Sequence, residues 1–107
     1  MLKGNIGVRV DDTRRDPGIG WVVDVRASTV SGRGGDEFTP SGSSYYTAPS
    51  TSCSVSTGRR ALGPIARAVQ RADGLCSSAE WIADVGIEVP SHLDAGTYSL
   101  DIVHSVY

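Results

Sequence analysis

The stretch VRVDDTRRDPGIGWVVDV, from Val8 to Val25, decides how this chain folds. It reads as an apolar strand, a loop rich in Asp and Arg that turns at Asp16-Pro17-Gly18, and a second strand opening on Trp21. Successive side chains of a strand point to opposite faces. Trp21, Val23, Val25 and Ala27 therefore face one way, while Val22, Asp24, Arg26 and Ser28 face the other. The first set is built to pack and the second to meet water. Towards the N-terminus, Ile6, Val8 and Val10 alternate with Gly7 and Arg9, so the even positions carry the apolar face of the first strand. Towards the C-terminus, Trp81, Ala83, Val85, Ile87 and Val89 alternate with Ile82, Asp84, Gly86 and Glu88 until Pro90 stops the strand. Leu100, Ile102, His104 and Val106 carry the same period to the end.

The middle of the chain is read from turn chemistry and local propensity. Tyr45, Tyr46 and Thr47 make a short strand ended by Pro49, and Cys53 to Ser56 allows another. Ser31 to Ser44 is rich in Gly and Ser and is expected to be a long surface connection. Between Arg59 and Asp73, Ile65, Ala66, Ala68, Val69 and Ala72 have helical spacing and Pro64 suits a first helical turn. A strand from Ala66 to Arg71 fits the same residues, and the β surroundings tip the reading to strand. About seven short strands with turn signals between them predict an all-β chain, a single antiparallel immunoglobulin-like β-sandwich over residues 1–107. Asp94-x-Gly96-x-Tyr98 has the spacing of a tyrosine corner, although Leu100 stands where an immunoglobulin domain has its second Cys.

With 107 residues, 39% of them apolar, and 13 glycines, the chain supports one modest core that would gain from a staple. Cys53 and Cys76 are its only cysteines, with no third for a metal set and no C-x-x-C spacing. They are expected to form a disulfide, which points to an oxidising compartment outside the cytosol. On that reading the natural chain begins upstream of Met1. A net charge of −2 offers no general field for nucleic acid, and no apolar run is long enough for a membrane span, so neither nucleic acid nor membrane insertion is expected.

No catalytic residues are assigned, and no cofactor or metal. His92 and His104 lack a Cys or Glu at ligand spacing, and no Ser sits in a G-x-S-x-G elbow. Asp11, Asp12 and Asp16 are the ligand type calcium takes, but Arg14 and Arg15 compete for them and a salt-bridged loop is the simpler reading. Either arginine is suited to lie over the Trp21 ring. Gly34-Gly35-Asp36-Glu37-Phe38 spells the signature of diguanylate cyclases. That motif belongs to a larger α/β domain with further ligands upstream, so here it reads as a polar loop with Phe38 tucked against the sandwich.

Two groups of residues resemble one family. Asp12-Thr13-Arg14 followed by Gly20-Trp21 is similar to the D-x-R then G-W motif of WxL-type surface domains of Gram-positive bacteria. Val89-Pro90 and Ala95-Gly96-Thr97-Tyr98 resemble the V-P then A-G-T-Y ending of the same and related wall-associated sandwiches. The resemblance implies a secreted, non-catalytic domain, extracellular and cell-wall associated, whose partner is a cell-wall polymer or a surface protein. Asp12, Arg14, Trp21 and Tyr98 would then be structural residues.

Three ways of acting follow. If Arg59, Arg60, Arg67 and Arg71, which have no acid among them, share a face, they would contact an anionic wall polymer such as teichoic acid. If Tyr45 and Tyr46 are exposed, they would form an adhesive surface for another protein. The third role is a mechanical spacer, in which Lys3, preceding the first strand, and Asp101, on the last, are candidates for an isopeptide bond.

Overall fold

The computed structural model describes residues 1–13, 19–32, 35–40, 42–90 and 96–107. They contain eleven strands and no helix: β1 (Leu2–Asp11), β2 (Trp21–Ala27), β3 (Val30–Gly32), β4 (Glu37–Phe38), β5 (Tyr45–Thr47), β6 (Ser54–Ser56), β7 (Arg59–Ala61), β8 (Arg67–Ala72), β9 (Ser78–Ile87), β10 (Tyr98–Ser99) and β11 (Ile102–Val106). Two four-stranded antiparallel sheets, ordered β1-β9-β5-β7 and β11-β2-β8-β6, form the sandwich, and a three-stranded sheet, β10-β3-β4, lies beside them. The count exceeds seven because six of the eleven strands are only two or three residues long.

Period-2 alternation explains the core directly. β1 pairs with β9 from Leu2 opposite Ile87 to Asp11 opposite Ser78, so the even residues of β1 share a face with Ala79, Trp81, Ala83, Val85 and Ile87. All five of those β9 residues are buried, as are Trp21, Val23, Val25 and Ala27 of β2. The two apolar faces close on each other around Trp21 and Trp81, which are 1% and 4% exposed. Burying two indoles contributes on the order of 3–6 kcal/mol before cavity and ordering costs.

Arg59–Asp73 holds strands, not a helix, and β8 contains one irregularity with consequences. Val23 pairs with Gln70 and Asp24 with Ala68, which leaves Val69 as the extra residue of a β-bulge. Val69 and Gln70 are consecutive and both fully buried, which strict alternation forbids. The Gln70 Nε2–H donates to the Pro49 carbonyl at 2.8 Å, while its buried Oε1 has no partner among the described residues, so only part of the polar cost of burying this side chain is offset.

Ser31–Ser44 departs from the expected surface connection. Val30–Gly32 pairs with Glu37–Phe38 on one side and with Tyr98–Ser99 on the other, and Val30, Pro40 and Ser44 are buried. Gly32 makes this possible, because a side chain there would run into the Tyr98 ring. A glycine-rich stretch thus becomes a strand by letting an aromatic ring lie on its backbone.

Cys53 and Cys76 are joined by a disulfide. The bond closes a loop with a sequence separation of 23, which stabilises a small domain by about 3 kcal/mol in the chain-entropy account. It also fixes the Cys76 carbonyl, which accepts a 2.8 Å hydrogen bond from the indole N–H of Trp21 across the sandwich.

Candidate functional site

The four arginines do not share a face. Arg59 and Arg60 are neighbours on β7 and point to opposite sides of their sheet. Arg59 lies over the Tyr45 ring, 3.6 Å from its centroid, and the Arg60 guanidinium turns back to donate to Thr57 Oγ1 at 3.0 Å. Arg67 and Arg71 are four residues apart on β8 and would share a face in a regular strand. The bulge at Val69 reverses that: Arg67 pairs with Val25 of the core row, while Arg71 pairs with Val22 and Val55 on the outer surface. The cations are spread over two sheets and both of their faces, and the common patch needed to grip an anionic polymer is not formed.

Tyr45 and Tyr46 are both buried, Tyr46 completely, so they present no adhesive aromatic surface. Tyr45 pairs with Gly86 on the outer face of its sheet, where a Cβ on Gly86 would overlap its ring, and Arg59 covers it from above. Tyr46 points inward. Its oxygen accepts from the Trp81 indole N–H at 3.2 Å and lies 2.9 Å from Nε2 of His104. The indole can only donate, so the phenol proton remains available, and His104 Nε2 is an acceptor within reach in the tautomer that carries the imidazole proton on Nδ1. Burial lowers the His104 pKa below its ordinary value, opposed in part by a hydrogen bond with the Ile102 backbone. Burial likewise raises the Tyr46 phenol, opposed by its bond to Trp81. His104, which has no Cys or Glu at ligand spacing, joins both sheets through its contact with Tyr46. Its parity with Ile102 and Val106 was the available signal, since those positions face the core.

The acidic loop begins with an exposed ion pair, Arg9 Nε to Asp11 Oδ2 at 3.0 Å. Asp12 extends the ladder, donating its backbone N–H to the Ser77 carbonyl at 2.7 Å. Arg14, Arg15 and Asp16 lie outside the described residues, and with them the expected stacking on Trp21 and the calcium reading. Asp94 and His92 lie outside them too, which leaves Gly96 and Tyr98 from the predicted corner; the Tyr98 ring packs edge-on against Phe38 with centroids 5.9 Å apart. Asp36 and Glu37 sit at a β3–β4 hairpin, where Asp36 accepts from the Gly32 backbone N–H at 2.7 Å and Gly35 takes a positive φ of 93°. Among the described residues no three His, Cys, Asp or Glu side chains are grouped to hold a metal ion.

Among the described residues, β1 has a strand paired to it on one side only. An apolar groove runs between Leu2–Ile6 and the segment Gly96–Ile102, floored by Val85 and Ile87. Comparison with protein-family models, with curated proteins and with solved structures finds no match.

Proposed function

We propose that this chain is a non-catalytic structural module of an exported, cell-wall-associated surface protein, one that holds the parts on either side of it apart. The observation that carries the reading is the placement of the first and last strands. β1 starts at Leu2 beside Ile87, and β11 ends at Val106 beside Val23. Trp21, two residues from Val23, is hydrogen-bonded to Cys76 just before β9 begins, whereas Ile87 is where β9 ends. The two ends are therefore separated by the length of β9, roughly 30 Å at 3.3 Å per residue. The body is correspondingly long, with extents of 49 × 21 × 19 Å.

A disulfide that staples the far end and the similarity to WxL-type domains support placement outside the cytoplasm. The dispersal of the arginines and the burial of both tyrosines favour spacing over gripping. Co-sedimentation with purified peptidoglycan sacculi tests the reading: a spacer stays in the supernatant at all salt concentrations. Sedimentation with the sacculi would contradict it and make the module itself the wall anchor.

A further inference from the structure

We propose that β1 is a self-pairing edge and that two copies of this chain associate by aligning their β1 strands antiparallel about a two-fold axis at Gly7, making one continuous eight-stranded sheet. The inference stands on the β1 edge alone and does not depend on the role as a spacer.

The hydrogen-bond directions of β1 follow from its last rung. Asp12 donates its backbone N–H to Ser77, in the same register as the rest of the β1–β9 ladder. In an antiparallel pair such hydrogen-bonded residues alternate with residues whose N–H and C=O point the other way. Gly4, Ile6, Val8 and Val10 therefore bond to β9. Lys3, Asn5, Gly7, Arg9 and Asp11 direct theirs to the open edge, where no described strand is paired with them.

Such an edge invites another strand, and natural edges are usually blunted by proline, a bulge, an inward-facing charge or charged side chains along the strand. β1 has no proline, bulge or inward-facing charge, and its charges, Lys3, Arg9 and Asp11, are of both signs and lie on the solvent face. Its register with β9 is unbroken over ten residues, and its core-facing positions are Leu2, Gly4, Ile6, Val8 and Val10.

The open-edge residues run from 3 to 11, so their centre is Gly7. Only the register centred there pairs all five in both copies: Gly7 with Gly7, Asn5 with Arg9, and Lys3 with Asp11. It places an ammonium opposite a carboxylate at both ends of the interface, on the solvent face. Moving the centre by one residue toward the N-terminus sets Lys3 against Arg9 and leaves Asp11 unpaired. On the core side, Ile6 meets Val8 of the other copy and Gly4 meets its Val10. A Cβ on Gly4 would have nothing within 4 Å, and the apolar groove lies behind it, so the incoming valine has room. Leu2, Ile6 and Val8, left partly exposed in the single chain, would be covered.

Sedimentation equilibrium of the disulfide-bonded protein from about 10 µM to about 1 mM tests this, since one strand pair is a small interface and a weak dimer is expected. Gly7→Pro removes an N–H that faces the open edge and spares the β9 ladder, so it should leave a folded monomer at every concentration. Lys3→Glu should weaken the dimer about tenfold, and adding Asp11→Lys should restore it. These two are surface substitutions and decide the matter even if the proline variant fails to fold, which circular dichroism would report. A wild-type protein monomeric throughout the range, or a dimer whose constant is unchanged by Gly7→Pro or by Lys3→Glu, would overturn the proposal.

Discussion

The hydroxyl of Tyr46 lies 2.9 Å from Nε2 of His104, joining β5 of one sheet to β11 of the other at the core. Tyr46 oxygen already accepts the Trp81 indole proton, and a neutral His104 with its proton on Nδ1 offers Nε2 as the acceptor for the phenol proton. Protonating His104 puts two donors against one hydroxyl and leaves the hydroxyl proton without an acceptor.

The pH dependence follows in sign. His104 has a folded pKa depressed from 6.5, so the unfolded chain binds its proton more readily. Its contribution is complete above the unfolded value and is lost as pH falls through 6.5 to the folded pKa. Tyr46 is raised from 10.0, so its contribution is complete below that value and is lost as pH rises through the folded pKa. The urea midpoint should be flat between about pH 7 and about pH 10 and decline on both sides. In a His104→Gln variant the acid-side decline should shrink.

Tyr46→Phe removes the acceptor for a buried indole N–H while keeping the ring. The loss should be about 1–3 kcal/mol, the cost of an unsatisfied buried donor, read from equilibrium denaturation. Trp81→Phe should cost less in the Tyr46→Phe background than alone, since the orphaned donor goes with it. Additive losses in the double variant would contradict the hydrogen bond.

Gly20 precedes Trp21, and a Cβ there would strike the backbone carbonyl of Ala72, which cannot swing aside. Gly20→Ala should therefore destabilise by about 2 kcal/mol or more, as overpacking against backbone does. Gly7→Ala meets nothing within 4 Å and should change stability by no more than about 1 kcal/mol. Equal thermal shifts for the two would be inconsistent with this packing.

Replacing Cys53 and Cys76 by Ala should cost about 3 kcal/mol, a fall in melting temperature of roughly 15 °C for a domain this size. Because the bond steadies the carbonyl that Trp21 donates to, the indole fluorescence of the variant should also move to longer wavelength in the folded state. Differential scanning calorimetry with matched emission spectra checks both.

Much of the sandwich is legible as alternation. Trp21 to Ala27 and Trp81 to Ile87 announce their inner faces, and Tyr45–Thr47 and Arg67–Ala72 lie where propensity and surroundings put strands. Those signals are local. The bulge at Val69 is not, because it exists only relative to β2, and it alone decides which way Arg67 and Arg71 point. The strands β3 and β4 are hidden for a related reason: Val30–Gly32 and Glu37–Phe38 have little strand propensity and are held by each other and by Tyr98, distant in sequence. Whether Tyr45 and Tyr46 are exposed is open in the sequence, because their burial depends on Gly86, Arg59 and His104, which pairing alone brings near. The direction of the candidate binding residues is set by register, which their local sequence does not carry.

The register of β1 supports the architecture, the separation of the ends and the open edge, and amide hydrogen exchange read residue by residue reports on it most directly. At dilute concentration Ile6, Val8 and Val10 should be protected by β9, while Asn5, Gly7 and Arg9 exchange at rates near those of open backbone. Uniform protection along β1, or protection of the odd positions instead of the even ones, would contradict the account.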